Sequence, residues 1–288
     1  MHDTALPHLL QHCQTLSMHA LQPRQRMDAE RWDEAWADTL AGLHEFTSHG
    51  YYGIDMQDLP TIHQAQAQAD WHHAALLAQQ LVRLAYSGGL PTEEMDPLLG
   101  HVLHLWQEYG AHWRSANEGR HANKGAPLNT AVAENYPAAV ELLALPVLLD
   151  RQELIPGVVE RIFNNRCDCL LDYLSAAACD KTEASEQVFR PTPYAGLNAF
   201  FEQRNITAEP LAPYLQTAYP VSWGLKDSAT GIADVDPLSH RWAWEVAALV
   251  VLYGLDDQAL QQHPSYPHDL VLLAKRRLAA SYPRSLRA

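Results

Sequence analysis

A chain of 288 residues that is 47% hydrophobic is long enough to bury a sizeable core, as one large domain or two smaller ones. Its net charge of −14, with no lysine- or arginine-rich stripe, argues against direct nucleic-acid binding, because an acidic surface repels phosphates. No apolar run approaches the roughly 20 residues a membrane span needs. The start, MHDTALPHLLQHCQ, lacks the basic and continuously apolar regions of a secretory signal, so the expected location is the cytoplasm.

Helical periodicity dominates the chain, and alternating strand patterns are scarce. The first helices are expected near residues 6–20 and 27–47. In the second, Trp32, Trp36, Leu40 and Leu43 recur on one face, while Glu30, Glu34 and Asp38 form a column of carboxylates on another. Like charges at that spacing oppose a helix by roughly 0.2–0.5 kcal/mol per pair. Arg31, within reach of Asp28 and Glu34, offsets part of that cost. A long helix comes next near 59–86, with Pro60 suited to its first turn and Gly88-Gly89 to its end, and another near 92–115.

The polar stretch SANEGRHANKGAPLNTA, residues 115 to 131, reads as a loop and the best internal boundary. Further helices are expected near 135–150, 152–165, 167–179, 193–204 and 208–218. The most apolar helix, RWAWEVAALVVLYG at 241–254, is closed by Gly254, with Asp256 placed to cap a short helix after it. The last helix starts near Pro267. The expected fold is all-α, a multi-helix bundle of two closely packed modules: an acidic one at 1–120 and a second at 121–288. Charge is uneven along the chain: the first 150 residues hold 18 acids and 7 bases, and the remainder 16 and 13. A basic protein partner would be drawn to the first half.

Motifs for chemistry are sparse. Cys13, Cys167, Cys169 and Cys179 make no disulfide framework in a chain this size, and Cys167-Asp168-Cys169 is not a C-x-x-C. Among 16 histidines there is no H-E-x-x-H, and the pairs His8/His12 and His101/His104 read as packed or surface side chains. No nucleophile elbow or phosphate loop is present, and Asp234, Asp236, Asp256 and Asp257 lack the register of a calcium loop. No cofactor or metal is expected. Glu245 stands out, a carboxylate inside a helix apolar nearly all round. It needs a partner, either Arg241 one turn earlier or a tyrosine or backbone donor from another helix.

The segment RWAWEVAALVVLYGLDDQAL, leading on to YPHDLV, resembles the C-terminal signature of the PoNi-type immunity proteins. That signature is an aromatic-Glu-Ala-Ala helix, a Leu-Asp-Asp turn and a Tyr-Pro-x-Asp-Leu segment, here carried by Trp244, Glu245, Asp256, Asp257, Tyr266, Pro267 and Asp269. LAYSGGLPTEEM, YPAAVELLALPVLLD, PYAGLNAFFEQR and APYLQTAYPVSW agree in order, so the likeness spans about residues 80 to 270. The chain departs from the pattern at Ala218-Tyr219, His240-Arg241 and Ser265-Tyr266. The resemblance implies a non-enzymatic, cytoplasmic antitoxin that binds a cognate antibacterial toxin, commonly a DNase delivered by a type VI secretion system. A nuclease presents positive charge to phosphates, so Asp28, Glu30, Asp33, Glu34, Asp38, Glu45, Asp55 and Asp58 are the expected contact residues. The signature residues are expected to be architectural. Two other classes compete: an α-helical metal-dependent enzyme, and a helical adaptor or chaperone for a secreted effector.

Overall fold

The computed structural model describes residues 4–16, 24, 29–49, 51–117, 125–132, 135–181, 183–186, 188, 193–218 and 242–281. The described residues are helical or irregular, with no strand among them, so the fold is all-α. The chain divides into two compact units. One holds the described residues of 1–138 and 157–166, the other those of 139–156, 167–218 and 242–281.

The first unit is built on α1 (Ala5–Thr15), α2 (Ala29–His49), α3 (Thr61–Ser87) and α4 (Met95–Asn117). In α1 the apolar positions Ala5, Leu6, Leu9, Leu10 and Cys13 share one buried face. Thr4 makes no side-chain cap there. Instead Glu108 of α4 reaches across, its Oε1 accepting the N–H groups of Thr4 at 2.8 Å and Ala5 at 3.1 Å. A carboxylate at that end also favours the helix dipole. α3 packs against both α2 and α4, and its buried stripe is rich in alanine (Ala67, Ala74, Ala75, Ala78, Ala85), which lets the neighbours come close.

The end of α3 fixes the entry to α4. Gly89 adopts φ +99°, its N–H donating to Tyr86 O at 3.0 Å, while Leu90 N–H reaches back to Ala85 O at 2.9 Å. That pair of bonds is the Schellman closure that the Gly-Gly sequence favours. Gly88 is required for a different reason. A Cβ there would sit 2.6 Å from the Trp32 ring, and Trp32 is held by its Nε1–H bond to Leu84 O at 3.0 Å and by stacking on Trp36. Gly88→Ala is therefore expected to lower unfolding free energy by about 1–3 kcal/mol, since an indole so pinned has little room to yield. Urea denaturation checks this, and an unchanged midpoint would refute the tight contact.

The second unit centres on α10 (Trp244–Leu252), whose residues from Trp244 to Val251 are all buried. Around it lie α7 (Cys169–Ser175) and α11 (His268–Ser281). The short α8 (Asn198–Phe201) continues from a 3₁₀ turn at Tyr194–Leu197, so the stretch read from sequence as one helix at 193–204 is broken into two tight turns. α9 (Leu211–Pro213) runs on as a π-helical turn, Tyr214–Ala218. The remaining helices, α5 (Tyr136–Leu148) and α6 (Ile155–Arg161), contain the points where the two units divide. α10 ends as its glycine predicts: Gly254 has φ +61°, and Leu255 N–H donates to Val250 O at 2.9 Å.

Candidate functional site

α2 sorts its side chains by face. Trp32, Ala35, Trp36, Thr39, Leu43 and Phe46 are buried, which leaves Glu30, Asp33, Glu34, Asp38 and Glu45 exposed. From Glu30 to Glu45 the helix rises about 22 Å, so the carboxylates form a long acidic ridge. Asp28 lies outside the described residues.

Asp55 and Asp58 are exposed and bracket a 3₁₀ turn, Met56–Asp58, in the connection between α2 and α3. Asp55 caps that turn by accepting the Gln57 N–H at 3.0 Å, and also accepts the Ser115 hydroxyl at 3.4 Å. Gln57 Nε2 donates to Ser115 O at 3.3 Å, and Tyr51 Oη lies 3.2 Å from His63 Nδ1. The connection is thus tied to α3 and to the end of α4. Asp55 and Asp58 line a pocket of about 230 Å³ with Gly53, Ala111, His112 and Ser115. Glu45 lines another of about 230 Å³ between α2 and α3, together with Phe46, Asp70, His73 and Leu77. Carboxylate-rimmed sockets of this kind suit the ammonium or guanidinium of a partner side chain.

The signature residues occupy two buried polar knots in the second unit. Glu245 is 2% exposed, and the Tyr214 hydroxyl donates to its Oε1 at 2.8 Å. Of the partners expected from sequence, a tyrosine from another element is the one found, whereas Arg241 lies outside the described residues. Burial, with the nearby Glu141 carboxylate adding to it, pushes the Glu245 pKa up to about 7 against the opposing bonds from backbone and Tyr214. Because this pKa is higher in the fold than in the unfolded chain, stability is full below about pH 4.5 and falls as pH rises through about 7. The loss is on the order of 3 kcal/mol. Glu245→Gln keeps an acceptor for Tyr214 and is expected to flatten that slope. Urea midpoints at about pH 5 and about pH 8 measure it, and an equal slope in both proteins would remove Glu245 as its source.

The second knot is Asp257, 5% exposed. It accepts the Tyr266 hydroxyl at 2.9 Å, Lys275 Nζ at 3.1 Å and Gln261 Nε2 at 3.4 Å. Burial alone would raise its pKa, but the hydrogen bonds from Lys275 and Tyr266 and the Lys275 charge outweigh that and hold it below the usual carboxylate range. Lys275 also donates to Leu255 O at 3.3 Å, which ties the turn after α10 to α11. Tyr266 and Pro267 are buried, and Asp269 accepts the Leu270 N–H at 2.9 Å in the first turn of α11. Trp244 is 1% exposed and packs beside Trp242. Asp256 differs from its neighbour: it is exposed, and its carboxylate accepts the Gln258 N–H at 3.1 Å.

Two partners in these knots have no local sequence signal, since Tyr214 stands 31 positions from Glu245 and Lys275 stands 18 from Asp257. Among the described residues, no group of three or more His, Cys, Asp or Glu side chains is arranged to hold a metal ion. Burial pushes the Cys13 thiol up to about 12 and, with the Asp168 and Asp172 charges, that of Cys169 up to about 11, which makes both poor nucleophiles.

Glu245, Asp257 and Tyr266 fall inside a matched family region. The model described as PoNe immunity proteins (PoNi), C-terminal, matches residues 166–270. One described as PA2201 N-terminal domain-like matches residues 1–123, the part that holds the acidic ridge. The crystal structure of protein PA2201 from Pseudomonas aeruginosa is similar over 95% of this chain and 96% of its own, at 34% identity and a TM-score of 0.79. The chain belongs to the PoNi immunity-protein family. Among curated proteins, none matches it. Within this PoNi protein the signature residues Glu245, Asp257 and Tyr266 join separate elements of the second unit, and the acidic ridge stands in the other matched region. No helix among the described residues is long and apolar enough to cross a membrane.

Proposed function

We propose that this immunity protein neutralises a nuclease toxin by direct contact, offering its acidic ridge to the basic surface with which the toxin would hold phosphates. The toxin is one delivered to competing cells by a type VI secretion system, and the immunity protein meets it in the cytoplasm. The supporting observation is the segregation on α2: Glu30, Asp33, Glu34, Asp38 and Glu45 all face solvent while the tryptophan face is buried. Family membership supplies the immunity role, and charge complementarity narrows the class of toxin. The protein carries out no reaction of its own in this reading. Occupying the toxin is enough.

The test is biochemical. A toxin domain is expected to be encoded beside this gene and, mixed with this protein, to lose DNA cleavage at about a one-to-one ratio, as a complex far tighter than micromolar requires. Cleavage that persists at large excess, or a neighbouring toxin that leaves DNA intact while acting on another substrate, would sink the nuclease reading.

A further inference from the structure

The second unit holds a groove of about 870 Å³ between the 206–212 segment and the turn after α10. It is several times larger than either acidic pocket of the first unit and lies wholly inside the span matched by the PoNi C-terminal model. Ile206, Tyr253, Leu255 and Ala259 give it an apolar lining, while Glu209 and Asp256 supply carboxylates. Among the described residues that line it there is no lysine, arginine or histidine.

We infer that this groove seats a segment of the toxin bearing a lysine or arginine, whose aliphatic stem lies on the apolar lining and whose cation meets Glu209 and Asp256. The inference rests on the proposed function and adds where the toxin is held. Three features argue for this occupant. Long basic side chains are amphipathic and fit an apolar channel with an anionic edge. The Tyr253 ring adds a surface for a cation. Glu209 and Asp256 put two carboxylates on a groove whose described lining is otherwise neutral, so a basic segment is the complement in charge.

Both walls are set before any partner arrives, which lowers the ordering cost of binding. On one side Gly254 and the Leu255–Val250 bond fix the turn, Lys275 holds Leu255 O, and Asp256 is oriented by the Gln258 N–H. On the other, Gln203 Oε1 accepts from the Thr207 N–H at 3.1 Å and hydroxyl at 2.7 Å, and its amide donates to Thr207 O at 3.3 Å. The Leu-Asp-Asp turn thereby has two uses. Asp257 faces inward and holds the fold; Asp256 faces outward and meets the partner.

Binding kinetics with a catalytically inactivated toxin domain from the neighbouring gene test the assignment. Ala259 is exposed, so Ala259→Trp fills the groove without disturbing the core. It is expected to raise the dissociation rate about 100-fold, and Glu209→Gln with Asp256→Asn about tenfold, with association changed less than about threefold. The asparagine still offers an oxygen to the Gln258 N–H, so the turn is kept while the charge is lost. Far-UV circular dichroism and urea midpoints establish folding; should Ala259→Trp fold poorly, Ala212→Arg, on the same groove, replaces it. Wild-type dissociation rates in folded groove variants would overturn the groove alone. A wild-type protein that neither binds nor inhibits the toxin would overturn the proposed function and the groove with it. A concentration-dependent dimer that Ala259→Trp dissolves, with toxin release unchanged, would assign the groove to a second copy of this chain and also overturn the inference.

Discussion

Reversing Glu30, Glu34 and Asp38 to lysine is expected to slow association with the cognate toxin about 10- to 100-fold, and to abolish most of its dependence on salt. These side chains are exposed and stand opposite the buried face of α2, so the substitution leaves the core untouched. Stability should move by no more than about 1 kcal/mol: lysines four apart repel one another much as glutamates do, while Arg31 exchanges an attraction to Glu34 for a repulsion. Part of that loss comes from Glu30, which lies in the first turn of α2, where a negative charge favours the helix dipole. Stopped-flow mixing at low and physiological ionic strength resolves the rate. An unchanged association rate in a folded variant would show that the ridge serves solvation and steers nothing.

Asp257→Ala should produce the largest loss of stability, about 3 kcal/mol. Removing the carboxylate strips the Tyr266 hydroxyl and the Lys275 ammonium of a shared acceptor, and the Tyr266 side chain is buried. Lys275 Nζ is partly exposed and keeps its bond to Leu255 O, which holds the loss below that of a fully enclosed pair. Asp257→Asn retains an oxygen for Tyr266 and should lose about half as much. Chemical denaturation with an unchanged slope is the readout, and a loss below about 1 kcal/mol would mean that the knot is dispensable. Its pH behaviour runs opposite to that of Glu245. The Asp257 pKa is depressed in the fold, so its contribution is present above about pH 3.8 and fades on further acidification.

The helices are legible in the sequence because their causes are local. The apolar period around Trp32 and Trp36, the Gly88-Gly89 stop and the Gly254 closure each act within a turn or two of chain, and the structure has all three. Where several weak helical signals stand together, periodicity misleads: residues 193–204 bury Tyr194, Leu197 and Phe200 at intervals of three, which suits a 3₁₀ turn running into a single helical turn. The buried carboxylate at Glu245 is visible because charge within an apolar run is costly. Its partner is not, since nothing in the residues around Tyr214 distinguishes it from other tyrosines. Likewise Asp256 and Asp257 are chemically alike and adjacent; only the position of Lys275 and Tyr266 turns one inward. The groove depends on segments nearly fifty positions apart and leaves no pattern in either.

The carboxylate that Glu108 lends to the start of α1 ties the first helix to synthesis order. An isolated helix of 11 residues is too short to persist in water, and its leading amides find their acceptor 104 positions downstream. During translation α1 leaves the ribosome well before α4, so until α4 emerges its leucines can be covered only in part, by α2. Docking it is consequently a late event in the assembly of the N-terminal unit, and a nascent chain cut short before Glu108 has no means of completing it.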